Sequence, residues 1–174
     1  VMDGPMTAVE HFRTLHAYEQ SCTGVVLDSL KRSKANIEQL GLASLAAPYQ
    51  RGVDIFSHIQ LAKRVWLHRI DPSFPGPREG IFPVWPLDQA EQEALEMDAA
   101  LGAYVARLDD RELVRVVAYA RVEDSRRFSS LVRHILTQVY NHASYHRGQI
   151  ASLVAQTGVK PGATDYILQH RAEL

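Results

Sequence analysis

Apolar positions recur with helical spacing in four long runs, punctuated by glycine and proline. The first run extends from about Thr7 to Leu40. Phe12, Leu15, Cys22 and Val26 share one face, Glu19 falls inside that stripe, and Gly41 suits a helix stop. The second begins after Pro48 and ends at Asp71-Pro72, since a residue before proline resists helical geometry. Its stripe is Ile55, Ile59, Ala62 and Trp66, and His58 points the same way. Ser73 to Pro86 carries Pro75, Pro77, Pro83 and Pro86, which predicts a long crossover. Phe74, Phe82 and Trp85 within it predict a segment packed down as a lid. A third helix is expected from Asp88 as N-cap, with Glu91 completing a capping box, burying Ala94, Met97, Leu101, Tyr104 and Leu108.

Val114 to Val122 departs from this pattern. Its valines and Tyr119 favour strand, Glu123-Asp124-Ser125 can turn the chain, and Arg127-Phe128-Ser129 can pair back. The last helix is expected from about Ser129 to Thr157, stopped by Gly158. Leu131, Ile135, Val139, His142, His146, Ile150 and Leu153 step by three or four residues, which places two histidines in its apolar stripe. The elements predict an all-α four-helix bundle, one domain over residues 1–174, with a short β-hairpin before the last helix.

Composition narrows the function. The chain has 174 residues, 46% hydrophobic and 22% charged, with formal net charge −1. A domain of that length folds without staples, and no basic field marks it for nucleic acid. Arg121, Arg126, Arg127 and Arg133 read as a solvated face. The single cysteine, Cys22, cannot form an internal disulfide and points to a reducing, cytoplasmic setting. No run approaches the length of a membrane-spanning helix, and the first residues lack the basic start and apolar core of a signal peptide.

The candidate chemistry lies in the histidines. Residues four apart on a helix sit one turn apart on the same side, so His142 and His146 can share one divalent ion if both are neutral. The alternative is a pair of structural core histidines satisfied by a polar network. Ala143 follows the first histidine where a zinc protease needs its glutamate base, which argues against peptide hydrolysis. A third ligand has to come from another helix, and His58 is the best candidate. His68, His134, His11, His16 and His170 read as structural or surface residues. Glu19, an acid among apolar positions, either faces the site, where it would orient a water or take its proton, or meets solvent at the stripe's margin.

The segment His142-Ala143-Ser144-Tyr145-His146-Arg147-Gly148-Gln149 resembles the signature of the DinB-like superfamily, a histidine, three residues, then His-Arg-Gly-Gln. Gly158, Pro161 and Asp165 match its usual ending, and His58-Ile59 with Trp66 to Ile70 is similar to its second-helix pattern. The resemblance implies a metal bundle with His58, His142 and His146 as ligands to nickel, zinc or iron. It also implies a homodimer and a small-molecule substrate, in some relatives with a low-molecular-weight thiol in a transferase or isomerase reaction. Non-catalytic metal binding in stress response, or a helical interaction module without metal, are the alternatives. Lys63 stands where relatives often carry an acid. Gly148 is expected to permit close helix packing, and Arg147 either pairs with Asp165 or is solvated.

Overall fold

The computed structural model describes residues 6–78, 80–121, 124 and 126–171. Helix α1 spans Ala8–Leu40, α2 Ala46–Ile70 and α3 Leu87–Ala106; a single turn, α4, covers Asp110–Leu113. Strands β1 (Val116–Ala120) and β2 (Arg127–Leu131) pair antiparallel, with Val116 opposite Leu131 and Ala120 opposite Arg127. Helix α5 follows at Val132–Gln156. The four long helices form the bundle: α2 packs on α3 and α5, and α1 packs on the same two. None of the helices is long and apolar enough to cross a membrane.

The ends of these elements have local causes. Thr7 caps α1 in a capping box with Glu10, each side chain accepting from the other's backbone N–H, and Gly41 ends the helix at φ 64°. Pro48 lies inside α2, in the first turn, where a missing N–H costs nothing. Asp88 is not the N-cap of α3. The helix starts one residue earlier, with extended Pro86 before it and the Ala90 N–H donating to the Pro86 carbonyl. Asp88 then sits in the first turn, favourable to the helix dipole, and Glu91 pairs with Lys31 at 2.6 Å instead of capping. Helix α5 begins at Val132 rather than Ser129, because residues 129–131 belong to β2. The Val132 N–H goes to the Arg115 carbonyl at 3.0 Å. At the hairpin tip, Glu123 and Ser125 of the expected turn lie outside the described residues, while Asp124 accepts from Arg126.

The core is two apolar clusters. Phe12, Leu67, Leu101 and Leu136 anchor one, and Leu30, Phe56, Ala90 and Ile150 the other. On α1, Glu19 falls between Phe12 and Val26 of the two clusters; on α2, Lys63 falls between Leu61 and Leu67. A buried charged level therefore crosses the bundle, which binary patterning alone did not predict.

Two faces differ from the sequence expectation by about one residue of phase. On α5 the buried stripe runs through Ile135, Leu136, Val139, Tyr140, Ala143, Arg147, Ile150 and Val154. His142 and His146 are half-buried at its edge. On α2, Ile55 and Ile59 are buried as expected, together with Phe56, Lys63, Leu67 and Ile70, whereas His58, Ala62 and Trp66 are half-buried along one flank. The three histidines thus meet on the α2–α5 flank, not on the bundle axis. Gly148 is exposed, and a Cβ there would meet nothing within 4 Å, so no close helix approach in the chain explains it.

Candidate metal centre

His58 reaches across from α2 to the two α5 histidines. Its Nε2 lies 3.2 Å from Nε2 of His142, which lies 3.1 Å from Nε2 of His146. One ring nitrogen from each of the three falls within 4.8 Å of the others. The outer nitrogens fix how the rings are protonated. Nδ1 of His58 donates to the Ile81 carbonyl at 2.6 Å, and Nδ1 of His146 donates to Oε1 of Gln149 at 2.7 Å. Each of these rings, when neutral, therefore presents a bare Nε2 lone pair to the centre.

Those lone pairs cannot satisfy one another. A single proton on Nε2 of His142 serves one neighbour and leaves the other unmet. Two or three imidazoles on one ion, with bonds of about 2.0–2.1 Å, hold their nitrogens roughly 2.9–3.4 Å apart for angles between square and tetrahedral. The observed spacings of 3.1 and 3.2 Å lie in that range, so the donor set fits a divalent ion. Burial, then the neighbouring His146 and His58, pushes the His142 pKa down to about 4. Burial likewise lowers that of His58. Both effects favour the neutral imidazole at His142 and His58, the form a metal needs.

Two cavities open on the cluster. The larger, about 490 Å³, exposes His58 and His142 and has Trp66, Tyr119 and Phe128 in its wall. The smaller, about 130 Å³, exposes His58 and His146 beside Arg51, Asp54 and Phe82. The crossover supplies part of the cover, as the aromatic content predicted. Phe82 stacks on His58 with ring centroids 4.6 Å apart and is itself 69% exposed, while Trp85 is buried.

Glu19 does not meet solvent: it is 3% exposed. It lines neither cavity beside the histidines. Its Oε1 receives Lys63 Nζ at 3.1 Å, and its Oε2 receives a guanidinium nitrogen of Arg147. Arg147 is therefore neither solvated nor paired with Asp165. It is buried against Glu19 and also donates to Ser144 Oγ at 2.8 Å and to the Tyr18 hydroxyl at 3.2 Å. Tyr18 in turn donates to the Thr164 carbonyl at 2.6 Å, so the C-terminal segment is pinned through Tyr18. Lys63, 1% exposed, also contacts Asp98 at 3.5 Å. His16 is buried outside the cluster, the structural of the two roles expected for it, and His68 donates to the Phe74 carbonyl at 2.8 Å. The role of Lys63 escaped the sequence reading. The signal for Lys63 was its helical spacing with Phe56, Leu67 and Ile70.

Compared with known families, residues 36–173 match the DinB family. The chain belongs to the DinB family. The match takes in α2 and α5, with all three histidines and the His-Arg-Gly-Gln segment, but begins after Glu19. No curated protein and no solved structure matches the chain.

Proposed function

We propose that this DinB protein is a metal-dependent enzyme acting on a small molecule, with His58, His142 and His146 as the ligands. The observation that carries the reading is the convergence of three Nε2 atoms, two of them bared by hydrogen bonds on the far side of the ring. A divalent ion, nickel, zinc or iron, would supply Lewis acidity there and lower the pKa of a water or thiol that reached it. The protein's own part is to hold three neutral imidazoles on one side only. The Ile81 carbonyl and Gln149 orient their rings, and Phe82 covers one face of the His58 ring.

The two cavities favour turnover over simple storage. The larger one has the size of ordinary small-molecule sites, and its aromatic wall provides an apolar surface next to the ligands. The smaller has the room and one charge of each sign in its lining, Arg51 and Asp54, for a compact polar cosubstrate such as a low-molecular-weight thiol. A thiol-dependent transfer fits that division. Cys22 is not the attacking thiol: it is buried, and burial raises its pKa. A reducing, cytoplasmic setting agrees with this lone free cysteine. A homodimer is proposed through the hairpin edge, where Val116 is 62% exposed on a two-stranded sheet with no third strand among the described residues.

Cobalt-loaded protein tests the reading. Titration with small thiols is expected to produce a near-ultraviolet sulfur-to-cobalt band, lost in His142→Ala. Binding of cobalt without such a band for any thiol supports the non-catalytic alternative.

A further inference from the structure

The buried charges behind the histidines are unused by the chemistry above. Glu19, Lys63 and Arg147 are 3%, 1% and 6% exposed, and a single carboxylate meets both cations, one on each oxygen. Lys63 belongs to α2, five residues beyond His58; Arg147 belongs to α5, directly after His146. The two helices that carry the ligands are thus tied, on their inner side, to one acid on α1.

We propose that Glu19 is the positioning residue of the metal centre, setting the gap across which His58 faces His142 and His146. This rests on the metal reading above. With both oxygens committed to cations, the carboxylate is placed to hold helices and not to take a proton at the site. Without it, Lys63 and Arg147 become two buried like charges, one on each ligand-bearing helix. Their repulsion acts along the α2–α5 separation. Asp98 offers partial relief to Lys63 at 3.5 Å and makes no ion pair with Arg147 among the described residues. Metal ligands tolerate displacements of only about 0.2 Å, so a small widening of that gap removes His58 from the set.

The test is cobalt binding by metal-free protein, read both as affinity and as the visible d–d spectrum, with urea unfolding alongside. Glu19→Gln is expected to weaken binding by roughly 10–100-fold, the range for loss of an outer-shell partner, and to alter the d–d bands. Asp98→Asn removes a carboxylate from the same lysine without touching α5, and is expected to stay within about threefold of the parent with unchanged bands. In Glu19→Gln/Lys63→Met the repelling pair is gone, and affinity and spectrum are expected to return toward the parent. Because the double variant has no like-charge pair, it also serves if Glu19→Gln alone does not fold. Parent-like affinity and bands in Glu19→Gln overturn the proposal, as does failure of the double variant to recover either. A parent protein that takes up no cobalt instead overturns the metal reading itself.

Discussion

At the residue scale, polar groups in this bundle are placed by what satisfies them. His58 and His146 are oriented by acceptors behind their rings, and Arg147 by Glu19, Ser144 and Tyr18. His16 is the contrast: it is buried against Tyr140 and Gly102, and its ring makes no well-formed hydrogen bond among the described residues, only a weak interaction with the Asp98 backbone. Burial, and then the positive charge of Lys63, lowers its pKa below 6.5. In the unfolded chain this ring takes up a proton near pH 6.5 that the folded protein refuses. Its contribution is therefore present above pH 6.5 and is lost as the pH falls through the lowered value. Stability of the metal-free protein is expected to drop between pH 7 and 5, and less steeply in His16→Leu; an equal slope in both would dissociate His16 from the effect. Gly148 gives a second prediction. Its surroundings are open, so Gly148→Ala should raise stability by about 0.5–1 kcal/mol through helix propensity. A loss in urea unfolding would instead show that something packs on this position.

At the element scale, periodicity delivered the long helices, the crossover and the hairpin, because each is a local pattern. Glycine at positive φ marked the ends of α1 and α5, at Gly41 and beyond Thr157 at Gly158. What was not legible was rotation. One residue of phase separates His142 from Ala143, and apolar spacing accepts either as the buried face, since both stripes contain Ile135, Val139 and Ile150. The choice is made by Arg147, which is drawn inward by a carboxylate 128 residues away and brings Ala143 with it. That long-range pairing is absent from any single helix. The helix boundaries failed for related reasons: strand pairing claims residues 129–131, and Pro86 starts α3 through its carbonyl, not a side chain. The start of α1 rests on a local device, so Thr7→Ala should cost about 1 kcal/mol. No change in thermal or urea midpoint would mean that the first turn of α1 frays in solution.

At the scale of the whole molecule, helices α2 and α5 present ligands outward to a flank with two cavities, while their inner faces share a charged level with α1 and α3. On the metal reading proposed above, metal binding and folding are coupled in this arrangement. An ion binding only the folded chain stabilises it by RT ln(1 + [L]/Kd), about 2.7 kcal/mol at a hundredfold excess over Kd. Chelator-treated protein should accordingly unfold at a lower temperature than metal-loaded protein, with the difference abolished in His58→Ala. Equal melting temperatures with and without chelator would separate the histidine cluster from stability.

The most direct test of the central claim is calorimetric titration of divalent metal into the metal-free protein, with His142→Ala in parallel and helical content checked by circular dichroism. His142 is the ring whose Nε2 touches both others. The account predicts one ion per chain for the parent and loss of that binding in the variant at unchanged helicity. Stoichiometry and affinity unaltered by His142→Ala, or no uptake by the parent, would contradict it.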